Sequence, residues 1–447
     1  MSSPSPHPVA AIILAAGRGT RMKSDRHKVL HPIAGRPMLA HLLATIETLA
    51  PARRVVVVGS GREQVEAAVA GQGVIVAVQE PQLGTGHAVQ QAQAALTGFA
   101  GDVLILYGDV PLVSAETMTR MLDRLHGDDA PAVVVLAFRP DDALRYGRVI
   151  AEDGIVARIV EYQDAGAAER AVPLCNSGLM AVRSDALWAL LDQIGSDNAA
   201  GEYYLTDIVA LAERAAVVET APEEVAGINS RGELAAVEAG WQAARRERAM
   251  AEGVTLVAPE TVWFAHDTVL GRDVTVEPHV VFGPGVTVAD AVTIRAFSHL
   301  EGATIGRGAE VGPYARLRPG AVIGESAKVG NFVEIKQAVL GAGAKVNHLS
   351  YIGDAVIGAK ANLGAGTITC NYDGFTKSKT VVGAGAFVGS NSALVAPVTI
   401  GDGAIVGAGS VVTRDVEPDA LALARGRQTV IGGWAARFRM GKAAKKA

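Results

Sequence analysis

From Leu270 onward the sequence advances in steps of six, and a repeat of fixed period restricts the fold more than any local propensity does. With short frame adjustments, hexads begin at 270, 276, 282, 288, 294 and 300, from 305 to 335, from 340 to 352, at 357 and 363, and from 382 to 406, which makes 22 units. The first position is Ile, Leu or Val in 21 of them, Phe282 being the exception; the fifth is Ser, Thr, Ala or Val in all 22, and Gly is second in 14. Neither the 3.6-residue helix nor the two-residue strand repeat holds two positions at a spacing of six. The pattern predicts a parallel β-helix of triangular cross-section with three hexads per coil. One aliphatic side chain fills the interior on each side, and a small residue fits each turn. On these units about seven or eight coils, stacked roughly 4.8 Å apart, give a prism about 35 Å long. The segment Thr369–Thr380 (TCNYDGFTKSKT) interrupts the hexads and returns to frame, so it reads as an external loop and a functional device.

The front of the chain is built differently: only 22 of the 51 glycines fall in residues 1–250. Apolar runs at Val9–Ala16, Arg54–Gly59, Val74–Val78, Val103–Tyr107 and Ala132–Phe138 alternate with helical patterns at Met38–Leu49, Glu63–Ala70 and Ala88–Leu96. That alternation predicts an α/β, Rossmann-like domain with a mostly parallel sheet covered on both faces. Residues 231–252 are rich in helix formers and lack Pro, and predict one linker helix. The expected division is a disordered lead at 1–8, an α/β domain at 9–230, the linker, a hexapeptide domain at 253–436 and a mobile basic tail at 437–447.

Forty-one Lys and Arg against 46 Asp and Glu leave a net charge of -5, which supplies no general basic field for nucleic acid. Val9–Ala16 is far short of the ~20 residues of a membrane span, and its cations follow it, the reverse of a secretory signal; a cytoplasmic protein is expected. Cys175 and Cys370 match no zinc or CxxC spacing, so no disulfide or structural metal is expected.

Chemistry concentrates in few places. Residues 12–28 (IILAAGRGTRMKSDRHK) read as a buried strand and a Gly-rich turn with five cations and one acid between Arg18 and Lys28, a combination suited to polyphosphate. It matches neither GxxxxGK[ST] nor GxGxxG, and a solvated loop is the alternative. Asp109 ends an apolar strand, where ligands of parallel sheets gather, though a turn before Pro111 explains it too. Arg318 and Lys336 lie one 18-residue coil apart, so the repeat stacks two cations; a bound phosphate or two side chains splayed into solvent would each account for them. His348 suits proton transfer near neutral pH, or is an ordinary polar residue.

The LAAGRGTRM segment with Lys28 resembles the nucleotide-binding signature of sugar-1-phosphate nucleotidyltransferases. QLGTGHA (82–88), YGDVPL (107–112), RYGRV (145–149), IVEYQDA (159–165), NSGL (176–179), GEYYLTD (201–207) and GIN (227–229) extend the likeness. With the hexapeptide domain behind them, essentially the whole chain resembles the bacterial bifunctional N-acetylglucosamine-1-phosphate uridyltransferase/glucosamine-1-phosphate N-acetyltransferases.

The resemblance implies that Leu14, Ala15, Ala16 and Gly17 lie against the nucleotide, with Arg21 and Lys28 on its phosphates and Tyr107, Gly108 and Asp109 in the same site. It places the uracil on Gln79, Gly84 and Thr85, N-acetylglucosamine on Gly147, Glu161 and Asn176, and Mg²⁺ on Asp109 with Asn229. VNHLSYIGD (346–354) matches the acetyltransferase segment that carries the base, which makes His348 that base. Arg318, Lys336, Tyr351 and Asn362 would bind glucosamine-1-phosphate; Ala365, Asn371, Tyr372, Ser390, Ala408 and Arg425 would line the acetyl-CoA site. Further implications are a left-handed coil, a homotrimer sharing acetyltransferase sites, and acetyl-CoA and UTP as co-substrates. The product, UDP-N-acetylglucosamine, would feed peptidoglycan and lipopolysaccharide synthesis, and neither nucleic acid nor membrane is an expected partner. His27, Gln163 and Ser177 stand where the family usually has Pro, Lys and Thr; His27 precedes the phosphate-binding Lys28. Two rival readings stay open on the residues: a nucleotidyltransferase whose β-helix serves only assembly, and a non-enzymatic scaffold.

Overall fold

A computed structural model describes residues 7–17, 19–143 and 145–443. The chain divides after Ala243 into two compact units.

In the first unit, nine strands form one sheet in the order Ile75–Val78, Arg53–Val58, Val9–Ala15, Asp102–Tyr107, Cys175–Arg183, Val133–Phe138, Ala215–Thr220, Ile155–Val160 and Arg148–Glu152. Val9–Ala15 is buried throughout, as a strand covered on both faces requires. Val9, Ala11, Ile13 and Ala15 join one apolar cluster, and Ala10, Ile12 and Leu14 join the other. The first four strands of this order are parallel, but Cys175–Arg183 runs antiparallel between Asp102–Tyr107 and Val133–Phe138. That strand, the hairpin Arg148–Val160 and the strand Ala215–Thr220 lie outside the predicted apolar runs. Leu14 pairs with Tyr107, so the chain leaves the sheet side by side at Ala16–Gly17 and at Gly108–Asp109.

The helix expected over 231–252 spans Arg231–Ala251. In the second unit its last turns meet the first coil: Ala249 is buried, the Arg245 guanidinium lies 5.1 Å over the Phe264 ring, and Phe264 stacks on Phe282 at 5.1 Å. Beyond it every named strand pair is parallel and offset by about one coil, as in Val276 with Ile294 or Leu317 with Ile335. Three faces result, the arrangement of a left-handed parallel β-helix of hexapeptide repeats. One face carries ten strands, from Thr255–Leu256 to Leu421–Ala422, so nine steps of about 4.8 Å give roughly 43 Å. The column is longer than its hexads suggest because coiling starts at Thr255, before the aliphatic rhythm becomes regular.

First-position aliphatics such as Val276, Ile294, Leu317, Ile335 and Val406 fill the interior. The small fifth position also has a local cause. The hydroxyls of Thr367, Ser392 and Ser410 donate to the carbonyls of Gly364, Gly389 and Gly407 at 2.6–2.7 Å, closing each turn on itself. At one edge the turn residues Phe297, Tyr314 and Phe332 adopt positive φ and stack with His279 in a ladder of rings 4.8–5.2 Å apart, each aromatic about half exposed.

Of the lead, residues 1–6 lie outside the described residues, but Pro8 is tied into the sheet through its carbonyl, which accepts from Asp102 N at 2.9 Å, and His7 stacks on His126. Within the basic tail Trp434–Ala443 is helical, as suits a Pro-free run of Ala and Arg, and residues 444–447 lie outside the described residues. No helix among the described residues is long and apolar enough to cross a membrane.

Candidate active sites

At the carboxyl edge of the first unit's sheet, a cavity of about 290 Å³ opens over Leu14, Ala15, Ala16 and Gly17. Lys28, Gln79, Gly84, Thr85, Tyr107 and Asp109 also line it, so ten of the sequence-derived residues meet in one place. Lys28 reaches this point because its stem packs on Gly19, whose φ of +61° and missing Cβ leave room for it. Its ammonium is bonded to Asp109 Oδ2, and at 3.0 Å to Asn229 Oδ1. Asn229 is held by the backbone around it: Ile228 N donates to Asp109 O, and Asn229 N donates to Glu233 Oε2 at 2.7 Å.

The end of the cavity lined by Gln79, Gly84 and Thr85 is equally ordered. Gln79 Nε2 donates to Gly84 O at 2.9 Å, and the Thr85 hydroxyl accepts from Leu205 N. Tyr107 connects this end to the next: burial pushes its hydroxyl far above the ordinary tyrosine range, and Glu161 acts in the same direction while Thr85 hydrogen-bonds to it. Gly147, Glu161 and Asn176 form a second group, outside the cavity lining: a Cβ at Gly147 would lie 3.2 Å from Glu161 Oε2, and Asn176 N donates to Gly147 O at 2.9 Å. Burial raises the Glu161 carboxyl, opposed by a hydrogen bond from Thr206. Arg21 is exposed on the turn Thr20–Met22 and does not line the cavity, nor does Gly108; Arg18 lies outside the described residues. Sequence reasoning missed Gln82, whose amide donates to Ala16 O, and Glu202; both sit inside quoted motifs, which is the signal that could have found them.

Asp109 and Asn229 fit the expected magnesium site in chemistry: two oxygen donors converge on one cationic atom, here the Lys28 nitrogen, as a hard cation needs. No cluster of three or more His, Cys, Asp or Glu side chains suited to a metal occurs among the described residues, so phosphate and water would complete the shell.

In the second unit the coil register aligns residues far apart in sequence. Gly366 N donates to His348 O, Asn391 N to Ala365 O and Gly409 N to Ser390 O, while Arg425 Nη1 donates to Ala408 O at 2.8 Å. His348, Ala365, Ser390, Ala408 and Arg425 therefore climb one edge of the prism in successive coils. One coil below, Asn331 pairs with His348, and its Oδ1 lies 2.7 Å from His348 Nδ1. Sequence reasoning did not single out Asn331; its place 17 residues before His348 was the available signal.

Arg318 N donates to Ile335 O, which stacks Arg318 and Lys336 one above the other. Lys336 is in register with Gly353, on the strand Tyr351–Ile357 that follows His348. The Tyr351 ring lies along that strand, its hydroxyl against Gly353, where any Cβ would collide. Arg318 is paired with Glu334 at 2.8 Å, which raises its guanidinium further. Lys377, reaching in from the external loop, pushes the Lys336 ammonium below the ordinary lysine range, with Arg318 adding to the effect. Three cations thus share one edge, and Lys377 is a member that coil spacing gives no way to place.

The loop itself spans 371–379 between the strands Ile368–Cys370 and Thr380–Val382. Asp373 braces it by accepting from the backbone N–H groups of Phe375 and Thr376, bonds that hold its carboxyl at about 2. Asn371 bonds to Asp354, and Tyr372 is exposed. In one chain Asn371 and Tyr372 are therefore on the edge of Lys336, not on that of Ala365, Ser390 and Ala408. Asn362, on the face before the His348 edge, pairs with Lys345.

Comparison with known proteins adds the following. The family described as MobA-like NTP transferase domain matches residues 11–253, and bacterial transferase hexapeptide repeats match 302–337 and 379–414. The chain is 66% identical over 445 residues to the bifunctional protein GlmU of Sphingopyxis alaskensis, covering 99% of this chain and 98% of that one. It is 70% identical to that of Rhizorhabdus wittichii and 55% identical to that of Zymomonas mobilis, again over 98% of this chain and at least 98% of theirs.

Proposed function

Because the chain belongs to the GlmU family of bifunctional transferases, we propose that its two units perform the two halves of one synthesis through the residues just described. The family's activities are acetyl transfer from acetyl-CoA to glucosamine-1-phosphate and uridylyl transfer from UTP to N-acetylglucosamine-1-phosphate. The observation that carries the assignment of sites is the convergence of Lys28, Asp109 and Asn229 at the mouth of a cavity on the sheet's carboxyl edge.

In the acetyltransferase, Asn331 Oδ1 can only accept, so it fixes the proton of neutral His348 on Nδ1 and leaves the Nε2 lone pair free. Arg318, Lys336 and Lys377 hold the sugar phosphate, and Tyr351 and Asn362 hold the sugar. Nε2 takes a proton from the ammonium of glucosamine-1-phosphate; the amine attacks the thioester carbonyl, the C–S bond breaks, and the thiolate leaves to be protonated. Acetyl-CoA lies along the column Ala365, Ser390, Ala408 and Arg425.

In the uridyltransferase, Leu14–Gly17 cradle the nucleotide, Gln79, Gly84 and Thr85 hold uracil, and Gly147, Glu161 and Asn176 hold the sugar. A phosphate oxygen of N-acetylglucosamine-1-phosphate attacks the α-phosphorus, and the bond to pyrophosphate breaks. Arg21 and Lys28 offset charge on the triphosphate, so the work is positioning and neutralisation rather than covalent catalysis. Asp109 and Asn229 would hold Mg²⁺, which neutralises phosphate charge when bound.

The acetyl-CoA residues occupy two edges of one prism, and the ring ladder leaves apolar surface uncovered; both support a homotrimer in which the loop of one copy completes the edge of another. Sedimentation at three times the 46.1 kDa chain mass is expected, and a monomer with full acetyl transfer would refute the shared site. The setting is the cytoplasm. Supplied with glucosamine-1-phosphate, acetyl-CoA, UTP and Mg²⁺, the protein is expected to yield UDP-N-acetylglucosamine, pyrophosphate and free CoA thiol by mass spectrometry. Accumulation of unacetylated sugar phosphate, or of the acetylated one without nucleotide, would contradict one half of the reading.

A further inference from the structure

Lys28 follows a loop of exposed residues that Arg231 ties at Met22 O and His31 ties at the Arg26 backbone, and a further side chain fastens the residues just before Lys28. Residues 23–26 are exposed, while His27 beside them is only 6% exposed. Across from them is the helix Arg62–Val69. Its Gln64 side chain accepts from His27 N at 2.9 Å and donates to Asp25 O at 2.8 Å. One carboxamide therefore clasps two backbone groups in the three residues before Lys28. On the inner side the clasp is completed by the His27 ring, packed near Gly61, with both ring nitrogens buried and without a protein partner. Burial and the adjoining Lys28 lower the affinity of that ring for a proton, so it acts as a neutral plug rather than a charge.

We infer that Gln64 is a positioning residue for uridylyl transfer: by holding Asp25 and His27 it sets where the Lys28 ammonium stands when the triphosphate binds. The inference rests on the reading of Lys28 as a phosphate ligand. The physical reason is entropic. A long, flexible side chain delivers charge to a phosphate effectively only if its backbone is already fixed, and Gln64 is the side chain that bonds both Asp25 and His27. Gln64 itself is exposed and touches neither cavity nor core, so its bonds to the loop are its structural content. His27 has φ of −56°, inside the range a proline ring imposes, which offers an independent way to restrain the same bond.

The test uses the full chain, with acetyl transfer by the other unit as the internal measure of folded protein. Gln64→Met keeps length and removes both bonds; it is expected to raise KM for UTP about tenfold with kcat changed less, while acetyl transfer is unaffected. Adding His27→Pro to Gln64→Met, which restores restraint without the N–H, is expected to recover most of the lost KM. Three results overturn the clasp: unchanged UTP kinetics in Gln64→Met, a loss shared equally by acetyl transfer, or no recovery in the double variant. Lys28→Met separates this from the wider reading. If that variant keeps full uridylyl transfer, the phosphate site is wrong; if it loses transfer while Gln64→Met does not, only the clasp is wrong.

Discussion

His348→Ala is expected to lower acetyl transfer by about a thousandfold, within the range a general base contributes, and to leave uridylyl transfer within about twofold. The separation follows from the fold, because His348 belongs to a coil of the second unit and every residue lining the cavity over Leu14–Gly17 belongs to the first. Stability is expected to change little, since the imidazole is exposed and its recorded side-chain bond is the one to Asn331. Asn331 supplies the finer reading. Asn331→Ala frees the ring to rotate and exchange tautomers, and about a tenfold loss is expected. Asn331→Asp keeps the geometry but sets a carboxylate against Nδ1, which favours the charged imidazolium. More alkali is then needed to free Nε2, so the acid limb of the rate profile moves to higher pH. Acetyl transfer measured by thiol release between pH 5 and 9 checks all three. Full activity in His348→Ala, or a limb displaced toward acid in Asn331→Asp, would remove the imidazole from its role.

The edge on which His348 stands also shows what a sequence of this kind discloses. Interior positions such as Val346 and Leu363 are legible because each coil has the same cross-section, and a repeated environment selects a repeated residue. The alignment of Ala365, Ser390 and Ala408 above His348 follows from that rhythm once the loop 371–379 is set aside. What the rhythm cannot give is anything that leaves the coil: the return of Lys377 to Lys336 depends on the path of an irregular loop braced by Asp373. In the first unit, continuous apolar runs mark the central strands. The hairpin Arg148–Val160 escapes because its alternating, partly exposed residues resemble loop more than core. Asn229 and Asp109 are 120 residues apart, and the hydrogen bond from Ile228 N to Asp109 O, with Lys28 bridging their side chains, brings them together; their motifs named them, but no spacing could have joined them.

Asp109→Asn is expected to lower uridylyl transfer by about a thousandfold while acetyl transfer by the same protein is retained. The substitution preserves shape and still offers an oxygen to Lys28, so what it removes is charge. Two consequences must be told apart. The Lys28 and Asp109 side chains are only 12% and 14% exposed, and taking one charge from such a pair strands the other in a medium that solvates it poorly. By the measure of broken buried pairs the folding cost is as much as about 3 kcal/mol, which shows as a lower melting temperature of the first unit. The catalytic loss has a different origin, since a neutral carboxamide is a weak ligand for the hard cation that would neutralise the charge building on the departing pyrophosphate. Lys28→Met combined with Asp109→Asn separates them, because it removes both charges together. That double variant is expected to regain most of the lost melting temperature and none of the uridylyl transfer, with pyrophosphate release and calorimetry as the two measurements. If activity returned along with stability, the pair would be a structural bridge beside the nucleotide, and the chemistry would have to be sought around Glu161 and Tyr107 instead.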